Sequence, residues 1–222
     1  MTAAQIKAVQ MKFCGITRAE DAEAAIASGA ALLGLNFYPG SPRHITLERA
    51  QQIADVVAGR ARLVGVFVNM NLAGVRRIAR AVPLDCIQLH GDELREECTE
   101  LAGDFEVIRA IKVTPQFRPE GLAAYSCCRG LLLDAPSPQH GGSGHNFDWR
   151  SVDWSAVREA APWATLFLAG GLTAENIAEA IRIARPDVVD VASGIEESKG
   201  IKSAEKMRAF AEAVLAAGRE VR

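Results

Sequence analysis

Hydrophobic residues recur along this chain in short, nearly continuous runs, each followed by a loop and an alanine-rich amphipathic segment. The runs cover approximately residues 9–13, 31–37, 62–68, 85–89, 106–111, 129–134, 164–169 and 187–192. The amphipathic segments cover residues 19–28, 47–58, 72–81, 93–102, 151–160, 174–184 and 203–217, with a weaker one at 116–125. Runs without polar alternation are typical of strands buried on both faces of a parallel sheet. The pattern therefore predicts eight strands, each followed by a helix.

Eight such units in 222 residues predict a single-domain α/β protein, a (βα)8 barrel spanning residues 1–222 with a frayed start at 1–8. The alternative is an open doubly wound sheet, which normally carries a GxGxxG turn after its first strand, and no such turn is present there. Thr17, Thr46, Asn71 and Thr173 stand just before predicted helices, where a side-chain oxygen can cap the first turn.

Composition narrows the possible partners. The chain is 49% hydrophobic and 23% charged, with a formal net charge of -2, so a basic surface for nucleic acid is not expected. No apolar run approaches the roughly 18 residues that span a bilayer, and the first residues do not form a signal peptide. The five cysteines are odd in number and lack CxxC spacing, which predicts reduced thiols in the cytoplasm. Neither they nor the four histidines have the spacing of a zinc site.

Chemically useful side chains stand where strands of the predicted barrel end, the location of active sites in this fold. Cys14 ends the first run, His90 follows the fourth, and Asp134 ends the sixth. A lone cysteine is more often a buried structural residue, and a histidine in this place is as often a structural hydrogen-bonding group. Asp134 could equally face water or be a partly buried acid that donates a proton. Their convergence on one rim nevertheless favours catalysis.

Glycine turns follow the last two strands. The stretch Gly170-Gly171-Leu172-Thr173 leads directly into a predicted helix, and Ser193 and Gly194 precede a short helical turn. Exposed backbone N–H groups and helix N-termini attract phosphate, so these turns predict a phosphate site. The longest connection, about 135–150, contains Gly142 and Gly144 in a glycine-rich run suited to covering a ligand.

Strand alternation makes a further prediction about the barrel interior. Lys12 lies two residues before Cys14, so both side chains point to the same face, and Asp190 shares a face with Ala192. Strands 1 and 8 become neighbours when the barrel closes. Neither charge is expected to be buried alone, so Lys12 and Asp190 should approach each other inside the barrel. A positive Lys12 beneath Cys14 would favour the thiolate.

Arg43 ends a loop that two prolines stiffen, in the stretch Pro39-Gly40-Ser41-Pro42-Arg43. An exposed, solvated arginine is the simpler interpretation. A stiff loop is also a means of presenting a guanidinium to a carboxylate in a two-bond contact.

Taken together, these residues resemble the phosphoribosylanthranilate isomerase family of tryptophan biosynthesis along essentially the whole chain. The most telling stretches are Lys12-Phe13-Cys14-Gly15-Ile16-Thr17 and Gln88-Leu89-His90-Gly91. The others are Phe37-Tyr38-Pro39 with Ser41-Pro42-Arg43, Val64-Gly65-Val66-Phe67-Val68-Asn69, Leu133-Asp134, Gly141-Gly142-Ser143-Gly144, Phe147-Asp148-Trp149, Gly170-Gly171-Leu172 and Asp190-Val191-Ala192-Ser193-Gly194-Ile195-Glu196.

The resemblance implies a (βα)8 barrel that rearranges N-(5-phosphoribosyl)anthranilate to 1-(2-carboxyphenylamino)-1-deoxyribulose 5-phosphate, an aldose–ketose isomerisation without metal or cofactor. It implies that Cys14 is the general base, Asp134 the general acid, and Arg43 the group that holds the anthranilate carboxylate. It assigns the phosphate to the glycine loops after strands 6, 7 and 8. His90 is a second candidate for orienting substrate or water.

One departure from the family pattern concerns the loop after strand 6. Lys and then Thr or Ser usually follow its glycines, whereas this chain has His145 and Asn146, which predicts a weakened or reshaped phosphate contact. Alternative functions are an aldose–ketose isomerase of histidine biosynthesis, an indole-forming synthase, or a non-catalytic barrel that binds a phosphorylated ligand. The first would be expected to carry an aspartate where Cys14 stands. The sequence leaves monomer and homodimer both open.

Overall fold

Eight parallel strands close into a barrel in the computed structural model, which describes residues 8–134 and 149–220. The strands follow one another in chain order, and β1 pairs with both β2 and β8. This confirms the (βα)8 barrel and excludes the open sheet. The strands are β1 Gln10–Cys14, β2 Leu32–Asn36, β3 Arg62–Phe67, β4 Cys86–Leu89, β5 Glu106–Lys112, β6 Gly130–Asp134, β7 Thr165–Leu168 and β8 Val188–Val191.

Helices surround the barrel. They are α1 Ala19–Ala27, α2 Leu47–Val57, α3 Leu72–Ala81, α4 Arg95–Ala102, α5 Trp154–Ala160, α6 Ile177–Ala184 and α7 Ala204–Glu220. The weak segment after β5 forms a 3₁₀ helix, Pro119–Tyr125, instead of the predicted α-helix. The helix predicted from residue 151 is preceded by a 3₁₀ turn, Trp149–Ser151. The helix α5 itself begins at Trp154, and Asp153 caps it by accepting a hydrogen bond from the backbone N–H of Ala156.

Alternation along the strands divides the buried residues between two cores. On β1, Met11 and Phe13 face the helices, and the Phe13 ring meets Phe210 of α7 edge-on at 6.0 Å. The second core fills the barrel interior, with members from seven strands or their ends: Leu32, Val64, Cys86, Ile108, Ala110, Leu132, Phe167, Ala169 and Val188. Residues at even spacing beyond these interior side chains, toward the carboxyl end of each strand, lie on the same inner face.

Two of the four predicted helix caps are present. Thr46 accepts from the Arg49 amide and Asn71 from the Gly74 amide, as expected. The prediction for Thr17 is wrong, because Arg18 occupies the N-cap position of α1 and its side chain makes no capping hydrogen bond. The Thr17 hydroxyl donates to the Gly200 carbonyl at 2.5 Å. The prediction for Thr173 is also wrong. The chain makes an additional turn there, and α6 begins only at Ile177.

A small hairpin that the hydrophobic pattern did not predict follows β8. Ser193–Ile195 form a 3₁₀ turn, and the short strands β9 Glu196–Ser198 and β10 Ile201–Lys202 pair antiparallel. The turn between them contains Gly200, which has a φ of +83°. This hairpin lies against the loops that follow β1 and β2, at the carboxyl end of the barrel.

Candidate active site

A buried ion pair supports the floor of the candidate site. Lys12 and Asp190 are register partners on neighbouring strands, and Lys12 Nζ donates to Asp190 Oδ1 at 2.9 Å. Lys12 has 0% of its surface exposed. Its register partner on β2 is the interior residue Leu32, so the Lys12 side chain points into the barrel. The contact predicted from strand alternation is therefore present.

Cys14 lies at the rim above this pair, on the same face as Lys12, and is partly exposed. Burial and the negative charge of Asp190 raise the pKa of the Cys14 thiol by more than Lys12 and Lys202 lower it. Lys12 therefore acts on the thiol in the predicted direction, but the pKa of Cys14 as a whole lies above its ordinary value. In the free protein this favours the thiol, and the thiolate that forms from it is a strong base.

His90 joins the ends of β4 and β6. Its Nε2 lies 3.2 Å from Asp134 Oδ2, and its Nδ1 lies 2.8 Å from Nε2 of the fully buried Gln88. With the Gln88 amide in this orientation, its nitrogen donates to Nδ1, and the Nε2–H of His90 donates to the carboxyl of Asp134. Asp134 is 9% exposed and follows the interior residue Leu132 by two positions. The imidazole and the carboxyl predicted for the rim are thus in direct contact.

Arg43 is buried rather than solvated. Only 6% of its surface is exposed, and its Nε and Nη2 donate to the two oxygens of Glu196 at 2.6 and 2.8 Å. The guanidinium therefore makes a two-bond carboxylate contact of the kind expected, but with a carboxylate of its own chain. Glu196 comes from β9, 153 residues away in the sequence.

Lys202 is a second buried cation on the same carboxylate. Its Nζ donates to Glu196 Oε1 at 3.0 Å and to the Ala192 carbonyl at 2.9 Å. Burial lowers the pKa of Lys202, whereas Arg43 and Lys202 together hold the pKa of Glu196 below its usual value despite its burial. Sequence reasoning included Glu196 only as part of a motif and missed Lys202. The signal was weak, since a lysine after an irregular hairpin resembles any surface charge.

The two glycine turns predicted to bind phosphate pack against each other. Gly170 and Gly171 have φ angles of +93° and +67°, which side chains rarely adopt. A Cβ on Gly194 would lie 2.0 Å from the Leu172 carbonyl oxygen, so only glycine allows this approach of the loops after β7 and β8. Ser193 opens the adjoining 3₁₀ turn. The expected direct passage from Gly171 into α6 is wrong, because the side-chain Nδ2 of Asn176 donates back to the Gly171 carbonyl and the helix starts only at Ile177.

Four residues of interest, Gly142, Gly144, His145 and Asn146, lie outside the described residues. Across residues 8–134 and 149–220, no group of three His, Cys, Asp or Glu side chains is placed to hold a metal ion. Over the same ranges, every helix is too short or too polar to cross a membrane.

Comparison with known proteins shows the family to which the chain belongs. The sequence model described as N-(5'phosphoribosyl)anthranilate (PRA) isomerase matches residues 11–213. The chain belongs to this family. Among its relatives, the N-(5'-phosphoribosyl)anthranilate isomerase of Ralstonia nicotianae is 40% identical over 211 residues, 92% of each chain. The enzyme of that name from Thiobacillus denitrificans is 43% identical over 205 residues, covering 91% of this chain and 96% of its own.

Solved structures of PRA isomerases share the fold. That of Thermus thermophilus superimposes with a TM-score of 0.84 at 36% identity, covering 94% of this chain and 99% of its own. A second structure has a TM-score of 0.80 at 34% identity with the same coverage, and holds reduced 1-(o-carboxyphenylamino)-1-deoxyribulose 5-phosphate. A third, of Thermotoga maritima, is described as monomers generated from a dimeric enzyme and has a TM-score of 0.79.

Proposed function

We propose that this protein is a phosphoribosylanthranilate isomerase that converts N-(5-phosphoribosyl)anthranilate to 1-(2-carboxyphenylamino)-1-deoxyribulose 5-phosphate. The observation that carries the proposal is the family match over residues 11–213. The placement of Cys14 and Asp134 supports it, because both side chains extend the inner face of the barrel at its carboxyl end. An aspartate would be expected in place of Cys14 in the related isomerase of histidine biosynthesis.

The first step opens the sugar ring. Protonation of the furanose oxygen by the Asp134 carboxyl breaks its bond to C1′, while the lone pair of the anilino nitrogen forms an iminium ion. The hydrogen bond between His90 and Asp134 Oδ2 supports this role, because it holds the carboxyl in one orientation. The conjugate carboxylate that remains is stabilised by the same donor.

The second step moves the C2′ proton. The iminium ion acidifies this position. Cys14 loses its thiol proton to solvent, and the resulting thiolate removes the C2′ proton to leave an enolamine. Tautomerisation then gives the ketone, so the overall reaction neither gains nor loses atoms. Burial supports the role of base, since a thiolate formed where burial raises its pKa binds a proton more strongly than one in water.

The remaining groups bind rather than react. Arg43 is the proposed partner of the anthranilate carboxylate, and Lys12 and Asp190 support Cys14 from below. The turns at Gly170–Gly171 and Ser193–Gly194, together with the loop that contains Gly142 and Gly144, form the proposed phosphate site. Glycine turns expose the backbone N–H groups that bind phosphate.

The test is the loss of substrate fluorescence when purified protein is added to phosphoribosylanthranilate. Cys14→Ala and Asp134→Asn should each lower kcat by about 10²- to 10⁴-fold, the usual contribution of one proton transfer. Cys86→Ala is the matched control, since it removes another thiol from inside the same barrel. Burial raises the pKa of this thiol as well, to about 11. Undiminished turnover in both catalytic variants would exclude this mechanism, and an inactive wild type would favour a binding protein.

We also propose a cytoplasmic location. All five cysteines are free thiols, and reduced thiols are typical of that compartment. Light scattering on the purified protein measures its molar mass and so distinguishes a monomer from a homodimer.

A further inference from the structure

Arg43, Glu196 and Lys202 form a buried charged cluster that the proposed reaction steps do not use. Glu196 is 7% exposed, and Lys202 is 3% exposed. Glu196 Oε1 accepts from Arg43 Nε, from Lys202 Nζ at 3.0 Å and from the Gly200 amide at 3.4 Å. Donors from two chain segments therefore hold this carboxylate, and it has little freedom to rotate.

The contact with Arg43 uses one edge of the guanidinium. Nε and Nη2 meet Glu196, which fixes the plane of the group and leaves the Nη1–Nη2 edge pointing away from that carboxylate. A guanidinium has two such edges with suitable spacing for a carboxylate. Arg43 can therefore remain paired with Glu196 while it binds a second carboxylate.

The stem of Arg43 passes over the turn that follows Cys14. A Cβ on Gly15 would lie 2.5 Å from Arg43 Cδ, and the thiol and guanidinium are close enough for their charges to interact. In the proposed substrate the carboxylate is ortho to the nitrogen on C1′, and the proton that Cys14 removes is on the adjacent C2′. One substrate therefore requires a carboxylate site beside the base, and Arg43 is in that place.

We propose that Glu196 is a positioning residue, which holds one edge of the Arg43 guanidinium so that the other is presented to the anthranilate carboxylate. Lys202 fixes Glu196 in turn through its contacts with Glu196 and the end of β8. The inference rests on the proposed function and extends it to selection of a substrate that carries an ortho carboxylate.

The experiment compares two substrates in the wild type and Glu196→Gln. One is phosphoribosylanthranilate, and the other is its aniline counterpart, which lacks the carboxylate. The ratio of their kcat/KM values should fall on the order of 10- to 100-fold in Glu196→Gln, the range for loss of a well-oriented hydrogen bond between charged groups. The change should appear mainly in KM for phosphoribosylanthranilate, with the aniline substrate little affected.

A matched control separates positioning from stability. Arg109 and Glu93 form another buried pair, with 8% and 2% of their side chains exposed, compared with 8% and 5% for Arg43 and Glu196. Glu93→Gln should lower thermal stability by a similar amount but leave the substrate ratio unchanged. Arg43→Met should abolish the preference, and adding Glu196→Gln to it should have no further effect on the ratio.

An unchanged ratio in Glu196→Gln, or equal losses with both substrates, would overturn the inference. Should that variant fail to fold, Glu196→Asp provides the same test, because it keeps the charge but withdraws the carboxylate by one methylene. If the wild type does not turn over phosphoribosylanthranilate, the proposed function fails separately. The inference is then tested by calorimetry with reduced 1-(o-carboxyphenylamino)-1-deoxyribulose 5-phosphate and its carboxyl-free counterpart, and equal effects of Glu196→Gln on both affinities would overturn it.

Discussion

The buried pair of Lys12 and Asp190 provides a quantitative test of how the barrel tolerates charge in its interior. Lys12→Met keeps most of the side-chain volume but removes the ammonium, which leaves the Asp190 carboxylate without the donor 2.9 Å away. The exposed fractions of the two side chains are 0% and 7%, so water cannot replace that donor without entering the barrel.

The expected loss follows from this burial. Breaking one side of a buried ion pair costs about 3 to 5 kcal/mol, because the remaining charge is desolvated and unpaired. For a domain of this size the midpoint of thermal unfolding should fall by about 6 to 20 °C, at 2 to 4 °C per kcal/mol. Burial by itself would lower the pKa of Lys12, but the charges and hydrogen bonds of Asp190 and Cys14 together raise this pKa above its ordinary value. The pair is therefore formed at neutral pH, and on the alkaline side its contribution is lost as the pH rises through that raised pKa.

Urea unfolding at neutral pH, followed by tryptophan fluorescence, measures the loss. The exposed pair of Arg62 and Glu106, whose side chains are 47% and 48% exposed, is the control, and Arg62→Met should cost no more than about 1 kcal/mol. The double variant Lys12→Met/Asp190→Leu should be more stable than Lys12→Met alone, because it leaves no unpaired charge. A loss below about 1 kcal/mol in Lys12→Met, or a double variant less stable than that single variant, would refute the reasoning.

Three further predictions concern the thiol and its neighbours. The rate of Cys14 alkylation by iodoacetamide, measured by mass spectrometry, should increase with pH around a midpoint above about 8.5, the ordinary pKa of a thiol, because burial raises the pKa of Cys14. Lys12→Met should move this midpoint higher, and a wild-type midpoint below about 8.5 would contradict the prediction. Gly34→Ala should lower kcat/KM on the order of 10- to 100-fold, because its Cβ would lie 2.7 Å from Cys14 Sγ; wild-type turnover would show that the thiol can move freely. Gly15→Ala should cost at least about 1 kcal/mol in unfolding free energy, because φ is +77° and the new Cβ would press on Arg43; an unchanged urea midpoint would contradict it.

Much of the barrel could be predicted from local pattern. Each strand is a short apolar run, and each helix an amphipathic segment, so neither assignment required knowledge of distant contacts. Closure of the barrel adds the one long-range relation, between β1 and β8, and alternation then places Lys12 opposite Asp190. The same alternation directs Cys14 and Asp134 to the inner face.

The helix starts show where local reasoning fails. Thr17 has the right side chain for a cap, but the N-cap position of α1 falls on Arg18, and the Thr17 hydroxyl donates to the Gly200 carbonyl, 183 residues away. A hydroxyl bonds to whichever partner the folded chain brings near, and the hairpin that supplies this one has no hydrophobic period to reveal it. The direction in which the pKa of Cys14 moves is a similar case, since it depends on how deeply the folded protein buries the thiol.

The sequence by itself determined the eight strands, seven of the helices, the inward-facing positions and the family. Only the tertiary structure decided the partners of Arg43, the contact between His90 and Asp134, and the direction in which the Cys14 pKa moves. The reason is physical: periodicity records which face of a strand or helix is buried, whereas contacts between irregular loops arise only after the barrel has brought the ends of its strands together.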